Sequence, residues 1–532
     1  MTTRRPFGTK DIGAELLPII TKGIYRDPLD TLREYVQNAI DAKASSIELR
    51  IGADLVSVRD NGSGMNRNEA TAAIRLGISD KDPRRDVGFR GIGIYSAFNI
   101  CDTVEIFTRT HRGPASKLIF DFKRIQSRLR TEERRRLKGQ PARLYLEKLM
   151  KDAVYVEDTP ESPIKSHGTL VMLVGIKGDV YRRLTNREIV RRYLQSVVPL
   201  PFRPEFRYKQ DLESLFRKKD YPVVDVSVAF DGGSERLYRP YHNEMFTNGK
   251  GFGPKHWPLP RSFSSGTHGF AWVCLNDARK YLPTRELRGL LVKKLGFSVG
   301  GRDHFARYFG RIVFNNRVTG EIVITDDDLL PNAARSEFEP SPARDSLYVA
   351  FDELASTISV WAESVQTKLK AEEELDAIGP KVQDILERIP TIERDVPALL
   401  RLNTQLAAMF DRLATHKRVL RDLHPNLLKD ALSGIEDAQT HIAEVLSAKG
   451  GGPAKRERLL RKALRSKTKT TPARTETRAR SLCEAIRLSD LKAEEVTIML
   501  LKYLDLELVD RLSPEEYAGL VEEFAEYLEE LP

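Results

Sequence analysis

Three short polar motifs follow one another near the start of the chain, and their order constrains the fold more than any other feature. They occupy residues 34–41, 60–65 and 88–93. Apolar side chains recur at helical spacing around the first motif and fill strand-like runs before the second. The chain is therefore expected to begin with a mixed α and β unit that brings the three motifs together.

The first motif lies on a predicted helix, because apolar side chains recur every three to four residues: Leu29, Leu32, Val36, Ala39 and Ile40. Glu34, Asn38 and Asp41 then stand one turn apart on a single face. Asn38 offers a neutral carbonyl oxygen to a hard metal ion, and Glu34 offers a base to a polarised water. A polar helix face in contact with solvent is the plainer reading of this motif alone.

The second motif follows two strand-like runs, at residues 46–51 and 55–59. Asp60 therefore ends a strand, and in the turn that follows Gly62 and Gly64 can adopt positive φ angles and let a ligand approach the backbone. A buried acceptor such as Asp60 suits the exocyclic amine of adenine, with Met65 packed beside the ring. A β-turn that caps the next helix explains this motif equally well.

The third motif follows a charged loop at residues 79–86 and opens a predicted helix through residues 95–98. A glycine-rich helix start presents free N–H groups and the positive end of a helix dipole to phosphate oxygens. Gly88, Gly91 and Gly93 have the spacing GxxGxG, which is weak evidence alone. The spacing differs from the dinucleotide fingerprint, and the sequence contains no GxxxxGK[ST] phosphate loop.

The order of these motifs, followed by a strand from residue 168, resembles the GHKL superfamily of ATPases, which includes DNA gyrase, the ninety-kilodalton heat-shock chaperones, histidine kinases, MutL and MORC proteins. The resemblance implies a Bergerat-type α/β sandwich that binds ATP and Mg²⁺. It assigns the general base to Glu34, the Mg²⁺ ligand to Asn38, and recognition of adenine to Asp60 and Thr169. It also implies nucleotide contacts from the other motif residues: Asp41, Gly62, Gly64, Met65, Gly88, Gly91 and Gly93.

Within the superfamily, the chaperone branch fits best. Residues 16–34, expected to form one helix, and residues 91–98 are similar to chaperone segments in the same register. Residues 77–90 would form the lid that closes over the nucleotide.

A downstream segment, residues 320–337, resembles the middle-domain loop of those chaperones. The resemblance implies that Arg335 is catalytic and that Asn332 contacts the nucleotide. A guanidinium supplies bidentate contacts to charge developing on the γ-phosphate, and its origin in a second domain would make hydrolysis depend on closure. An ordinary surface ion pair of Arg335 with Glu337 or Glu339 is the alternative.

At 532 residues the chain is too long for one core, so about three domains are expected. Hydrophobic residues make up 41% and charged residues 30%, as in globular proteins. The sequence contains no apolar run long enough to cross a membrane and no signal-peptide core, so we expect a cytoplasmic protein without a membrane partner. Cys101, Cys274 and Cys483 are scattered, the first two in core-like runs, and no metal beyond the nucleotide's Mg²⁺ is expected.

The predicted fold class is α+β, with an ATPase sandwich, a second α/β domain and an all-α C-terminal region. In order, we expect a GHKL ATP-binding domain at 1–178 with a basic helical insertion at about 124–151, a middle transducer domain at 179–340, a helical bundle at 341–448, a basic flexible linker at 449–480 and a small acidic helical module at 481–532. The middle domain should contain a helix at 187–197, strands at 223–230, 269–275 and 311–314, and loops at 249–253 and 296–301. In the helical region, prolines 380, 390, 397 and 425 argue against one long helix.

The net charge of +10 is unevenly distributed. The linker has 12 Lys and Arg against 2 Glu, and the last module has 4 against 14 acidic residues. The linker could bind phosphate backbones or neutralise the acidic module, and its lack of aromatic residues favours the second reading. The insertion at 124–151 could contact nucleic acid, an acidic client or a partner subunit, although a solvated helical face is the plainer reading.

Two functions are consistent with these features. The first is a Mg²⁺-dependent conformational ATPase that clamps or remodels a protein partner, as a chaperone does, and forms a homodimer at least transiently with ATP. The second is a nucleic-acid clamp resembling MORC or MutL ATPases. The resemblance does not cover the C-terminal third, so the sequence identifies neither the client nor the dimerisation element.

Overall fold

The computed structural model describes residues 7–448, apart from residues 53–54, 142, 231–232, 250, 263–264 and 278–279. The predicted linker, the predicted acidic module and Cys483 lie outside the described residues. The chain divides into two compact units between Thr367 and Lys368.

The first unit contains an eight-stranded sheet within the described residues. Its strands are β1 (Ser46–Ile51), β2 (Leu55–Asp60), β3 (Cys101–Arg109), β4 (Ser116–Asp121), β5 (Val154–Asp158), β6 (Gly168–Ile176), β7 (Asp225–Phe230) and β8 (Gly233–Arg236). Their order is β5-β4-β3-β6-β2-β1-β7-β8, and only the β1–β7 pair of these is parallel.

Helices cover the buried face of this sheet. They are α1 (Leu16–Ile24), α2 (Leu29–Asp41), α3 (Arg67–Ala73), α4 (Phe122–Leu137), α5 (Leu146–Met150), α6 (Gly178–Leu184) and α7 (Arg187–Val197). Val36 of α2, Ile47 of β1 and Leu194 of α7 share one hydrophobic core. This arrangement confirms the predicted α/β sandwich, and it places the first motif on a helix whose other side is anchored in the core.

The sheet continues beyond residue 178, where the sequence places the end of the first domain. β7 pairs with β1, with Ser46 opposite Asp225. Between α7 and β7 the chain forms α8 (Lys209–Lys218), whose Leu212 packs in the core of the second domain. Pairing between strands so distant in sequence leaves no local pattern, so the shared sheet could not be predicted from periodicity.

The second domain is built on a five-stranded sheet, counted over the described residues, in the order β12-β11-β13-β10-β9. Its elements are β9 (Gly251–Pro260), β10 (Thr267–Asn276), β11 (Gly289–Lys294), β12 (Phe297–Ser298), α9 (Asp303–Ala306), α10 (Ile312–Asn315) and β13 (Val318–Ile324). Cys274 of β10 is buried in this sheet's core, and Cys101 is buried in the first core, as predicted.

Three predictions for this domain are wrong, one of them the expected loop at 296–301, which contains the short strand β12. The expected strand at 311–314 is α10, because so short an apolar run does not distinguish a helix from a strand. The expected loop at 249–253 includes the start of β9. β9 is rich in glycine and proline and lies at the edge of its sheet, where proline is tolerated.

The expected single helix at 16–34 is also wrong, because α1 and α2 are separate. Pro28 lies at the N-terminal cap of α2, and the side chain of Asp27 accepts a hydrogen bond from the backbone N–H of Leu29 at 3.0 Å. Proline cannot supply a helical N–H, so the chain restarts there. The break sets the direction in which α2 enters the site.

The helical C-terminal region is confirmed, with one difference. Its helices are α11 (Pro342–Arg388), α12 (Val396–Thr415), α13 (Lys417–Leu423) and α14 (Pro425–Ala448). α11 runs for 47 residues through Pro380, where the sequence predicts an interruption. The preceding Gly379 has no side chain to clash with the proline ring, which removes part of the penalty. Pro390, Pro397 and Pro425 do lie at helix starts, as expected.

Candidate functional site

The polar side chains of the first motif lie on α2 and face other parts of the protein. Glu34 is buried, with 8% of its surface exposed. Both carboxylate oxygens of Asp41 accept hydrogen bonds from the chain opposite, one from the N–H of Val87 at 2.8 Å and the other from the N–H of Gly88 at 3.0 Å. The polar face of α2 is therefore not a surface in contact with solvent.

Glu34 has the surroundings expected of a base. Its Oε1 accepts a hydrogen bond from Nη2 of Arg33 at 3.2 Å. Burial raises the pKa of Glu34, while the guanidinium groups of Arg33 and Arg335 act in the opposite direction. A carboxylate whose pKa is raised accepts a proton more readily near neutral pH.

The loop that carries Arg335 closes the cavity beside Glu34. Asn38 and Gly93 line this cavity from the ATPase sandwich, and Asn332 and Arg335 line it from the loop after β13. The structure therefore brings together residues that the sequence could associate only through resemblance.

Arg335 is held by backbone carbonyl groups. Its Nη2 donates to the carbonyl oxygen of Lys294 at 3.1 Å, and its Nε donates to that of Ser298 at 3.4 Å. Its backbone is in the left-handed region, with φ of 54°. Burial, together with the nearby Arg33, lowers the pKa of Arg335 to about 9, although the Glu34 carboxylate opposes the shift. The guanidinium is thus fixed in place beside a carboxylate.

The alternative of a surface ion pair for Arg335 does not fit these contacts. Glu337 pairs with Arg307, at 3.3 Å between Oε1 and Nη1. Glu339 pairs with Arg90, at 2.7 Å between Oε1 and Nη2. Both acidic residues are thus engaged by other arginines.

Asn332 shapes the turn that precedes Arg335. Its Oδ1 accepts from the N–H of Ser336 at 3.0 Å, and its Nδ2 donates to the Ser336 hydroxyl oxygen at 3.0 Å. Its carbonyl oxygen also accepts from the N–H of Arg335 at 2.9 Å. The predicted contact of Asn332 with nucleotide stays a prediction.

The expected lid, residues 77–90, contains no helix or strand. Lys81 reaches from it to the first motif: its Nζ lies 2.6 Å from Oδ2 of Asp41 and 3.0 Å from Oδ1 of Asn38. Asp41, which the sequence predicts to contact nucleotide, holds the lid in this structure.

The other end of the lid contacts the second domain. Nη2 of Arg90 donates to the carbonyl oxygen of Pro331 at 2.9 Å, in addition to its ion pair with Glu339. The lid is therefore tied to the loop that carries Arg335.

Two glycines of the third motif are required by close approach. A Cβ atom on Gly93 would lie 2.8 Å from Oε2 of Glu34, and one on Gly91, whose φ is +68°, would lie 2.5 Å from the carbonyl oxygen of Ile78. Gly88 similarly abuts Oδ1 of Asn38, at 3.2 Å from a built Cβ. The segment that follows is a 3-10 helix, Gly93–Asn99, where the sequence predicts only a helix of unspecified type.

The second motif forms another cluster around Asp60. Oδ1 of Asp60 accepts from the N–H of Gly62 at 2.8 Å, and burial raises the pKa of this carboxyl. Strand pairing sets Asp60 opposite Thr169, whose hydroxyl oxygen lies 3.3 Å from that of Thr108. The two residues assigned to adenine are thus adjacent.

The turn after Asp60 packs tightly against β3. Gly64 has φ of +65°, and a Cβ atom there would lie 1.9 Å from the carbonyl oxygen of Arg109. The N–H of Met65 donates to the hydroxyl oxygen of Thr108 at 2.8 Å. The turn also leads into α3. Asn66 caps this helix by accepting a hydrogen bond from the N–H of Glu69 at 3.0 Å, in agreement with the alternative interpretation of the second motif as a turn that caps the next helix.

Two features fit a nucleotide with its metal ion. The Lys81 ammonium group bridges the oxygens of Asn38 and Asp41, which shows that these oxygens attract a cation. Gln37 also lines the cavity, and its buried amide nitrogen has no hydrogen-bond partner among the described residues. A ligand oxygen would satisfy that donor.

Sequence reasoning missed Lys81, Gln37 and Arg33. Lys81 is one cation in a charged loop, Gln37 lies within the first motif without a predicted role, and Arg33 directly precedes that motif. The carboxylates of Glu34 and Asp41 on one face of α2 are the available signal, since they favour a nearby cation.

The described part of the chain has neither a cluster of metal-ligating side chains nor a membrane-spanning helix. It contains no group of three or more His, Cys, Asp or Glu side chains arranged to hold a metal ion. No helix within it is long and apolar enough to cross a membrane.

Comparison with known proteins defines the class of the first domain. Residues 28–155 match the family described as "Histidine kinase-, DNA gyrase B-, and HSP90-like ATPase". The N-terminal sandwich is therefore a GHKL-type ATPase domain, and the suspected superfamily is confirmed.

Relatives from two branches share this domain. The DNA mismatch repair protein MutL of Pediococcus pentosaceus is 34% identical over 101 residues, and that of Aquifex aeolicus is 31% identical over 97 residues. The Chaperone protein HtpG of Bacteroides thetaiotaomicron is 29% identical over 130 residues. The matches cover 17%, 16% and 19% of this chain and only 16%, 23% and 19% of those relatives, respectively.

Proposed function

We propose that this protein is a conformational ATPase that hydrolyses ATP to ADP and phosphate and uses lid closure and domain docking to clamp or remodel a protein partner. One observation carries the proposal: Arg335 of the second domain lines the same cavity as Glu34 of the ATPase sandwich. The HtpG relative supports a chaperone-like role. Transient homodimer formation with ATP and a cytoplasmic location are parts of the same proposal.

The residues of the cavity divide the work of hydrolysis. Asn38 would hold Mg²⁺, which when bound neutralises charge on the phosphate oxygens. Glu34, buried and with a raised pKa, orients the attacking water and accepts its proton. Arg335 supplies a fixed guanidinium to the charge that develops on the transferred phosphoryl group.

Closure is coupled to this chemistry through the lid. Arg90 joins the end of the lid to Pro331 and Glu339, on either side of the turn that carries Arg335. A nucleotide that orders the lid would therefore also order the catalytic loop. Because the contributing segments come from both domains, the ATP state can be transmitted to the second domain.

A second candidate function is a clamp on nucleic acid. The MutL relatives and the exposed cationic side of α4 favour it. Stimulation of ATP turnover separates the two functions: stimulation by duplex DNA at low salt supports this candidate, and stimulation by an unfolded protein supports the first.

Two substitutions test the catalytic assignment. We expect Glu34→Ala to reduce turnover by about a hundredfold or more, because the general base is lost, with nucleotide binding nearly unchanged. Arg335→Ala should reduce turnover by about a hundredfold, because one preorganised donor is lost, again with near-normal affinity. Steady-state phosphate release and binding of a fluorescent ATP analogue measure the two effects.

Asp60→Ala should behave differently, since it removes the predicted adenine contact and should abolish nucleotide binding. Glu133→Ala, on the exposed surface of α4, is a matched carboxylate control that should change neither quantity. Parental turnover in Glu34→Ala would show that another group is the base. Equal losses of affinity and turnover in Arg335→Ala would place that guanidinium in ground-state binding.

A further inference from the structure

Helix α4 of the insertion carries an extended basic face. Its members are all exposed: Lys123, Arg124, Ser127, Arg130, Thr131, Arg134 and Lys138. At 3.6 residues per turn they fall within a sector of about 120°. Five of them are cationic, two carry hydroxyls and none is acidic. We call this set the basic face of α4.

The acidic residues of the helix lie away from this face. Glu132 is buried and accepts hydrogen bonds from the backbone N–H groups of Arg143 and Leu144. On a helical wheel Glu133 lies about 80° from Lys123 and outside the sector of the basic face. On the opposite side, Ile125 packs in the core of the sandwich. The fold therefore holds the basic face toward solvent, and no acidic residue of α4 lies on it.

Four cations of this face have no acidic side-chain partner among the described residues: Arg124, which donates to the backbone carbonyl oxygen of Asp152, and the series Arg130, Arg134 and Lys138. The members of this series follow one another at a spacing of four residues, at which like charges repel. Lys123 has an ion pair with Asp102, at 3.5 Å between Nζ and Oδ2, but both side chains are exposed to solvent. An anionic partner would relieve this repulsion along the whole helix.

The dimensions of the face fit a regular polyanion. From Lys123 to Lys138 it spans about 22 Å at 1.5 Å per residue. Along the axis of a duplex each strand places one phosphate about every 3.4 Å, so the length of the face equals the axial rise of about six phosphates of one strand. It has no aromatic side chain to stack on bases and no apolar centre of the kind on which protein interfaces depend.

We propose that the basic face of α4 binds the phosphate backbone of duplex nucleic acid without regard to sequence. The contact gives the second candidate function its binding surface, and it is independent of the proposed ATPase cycle because it needs neither hydrolysis nor closure. Glu34→Ala should therefore bind duplex DNA as the parental protein does. Failure of the ATPase assignment and failure of this proposal are thus separate results.

The test is fluorescence anisotropy with the full-length protein and a short labelled DNA duplex, between about 50 and 200 mM salt. Each phosphate contact contributes about 0.9 to the slope of log affinity against log salt. Arg130→Gln/Arg134→Gln should lower the steepness of that slope by about 2 and weaken binding at low salt, equally for unrelated duplex sequences.

A matched control removes two exposed arginines from a helix of the second unit. Arg418→Gln/Arg421→Gln on α13 should leave affinity and slope unchanged. Circular dichroism establishes that both double variants are folded.

Three outcomes would overturn the proposal. One is absence of duplex binding by the parental protein at low salt. Another is an unchanged slope in the α4 variant, which would place binding elsewhere in the chain. The third is equally tight binding of poly-glutamate, lost in the same variant, which would make this a surface for acidic proteins.

Discussion

Glu34 and Arg335 oppose one another's ionisation shifts within one cavity. Burial raises the pKa of Glu34, and Arg335 is among the groups that limit the rise. Burial also lowers the pKa of Arg335 to about 9, and Glu34 is among the groups that limit the fall. Each is kept in its working state partly by the other, so removal of either should change the titration of the one that remains.

This pairing predicts a bell-shaped pH profile of kcat/KM. Glu34 works deprotonated, so activity should fall as pH drops through its pKa, which lies above the usual value of 4.5. Arg335 works protonated, so activity should also fall as pH rises through about 9. Steady-state assays of ATP turnover across this range measure both limbs, since kcat/KM reports the groups of the free enzyme.

Arg335→Ala provides the control for the alkaline limb, which should vanish from its residual activity. An alkaline limb that persists unchanged in this variant would assign it to another group.

Single residues differ in how well sequence indicates them. Some site residues stand in segments that resemble a known family, so they could be predicted from the sequence: Glu34, Asn38 and Arg335. Lys81 and Gln37 could not, because their importance depends on where the fold directs their side chains. Lys81 donates into the first motif, and the amide nitrogen of Gln37 faces the cavity with no partner in the described part of the chain. The spacing of residues along the sequence indicates neither of these roles.

At the scale of elements, the lid is fastened mainly at two points, at Asp41 of α2 and at the loop that carries Arg335. It has no regular secondary structure, and Lys81 supplies its ion pair to Asp41. Segments held by a small number of partly exposed interactions open more readily than those with a packed core. The lid therefore has the low local stability that a nucleotide-responsive element needs.

Lys81→Ala should loosen this lid in the nucleotide-free protein. An ion pair of this exposure is worth up to about 1 kcal/mol, so amide exchange across residues 77–90 should quicken by about fivefold. Hydrogen–deuterium exchange detected by mass spectrometry measures the change. Arg84→Ala, which removes an exposed lid cation, should leave exchange unaltered, and equal protection in the two variants would exclude Lys81 as the fastening.

Elements with a clear period could be predicted closely, whereas a buried strand that contains charged residues could not. α7 and β1 match their predicted bounds, since their apolar residues follow periods of 3.6 and 2. β11 contains the buried Lys293 and Lys294. Charged residues are not typical of a fully buried strand, so the sequence pattern does not indicate one here. Such side chains are buried because the tertiary fold supplies partners, as when Lys294 donates to the carbonyl oxygen of Asp326 at 2.7 Å.

At the scale of the whole molecule, the two compact units have separate cores. The core of the sandwich and that of α12 to α14 share no residue. Calorimetry should therefore resolve two unfolding transitions. Mg·ATP at about a hundred times its dissociation constant should stabilise one of them by about 2.7 kcal/mol, because it binds only the first unit.

Leu406→Ala identifies the other transition. Leu406 is fully buried in the second core, and its truncation should cost about 2–5 kcal/mol there while leaving the ATP-sensitive transition in place. A single transition that shifts as a whole with either change would show instead that the units unfold together.

The parallel pairing of β1 with β7 has a consequence for biosynthesis. Some 180 residues separate the two strands, so a ribosome that adds about 5–20 residues per second needs about 9–36 s to deliver the second after the first. Throughout that interval β1 has an open edge, which is the part of a sheet most prone to pair with foreign strands. The eight-stranded sheet is therefore completed late in synthesis. The nascent chain passes through its most aggregation-prone stage before bound nucleotide can stabilise it.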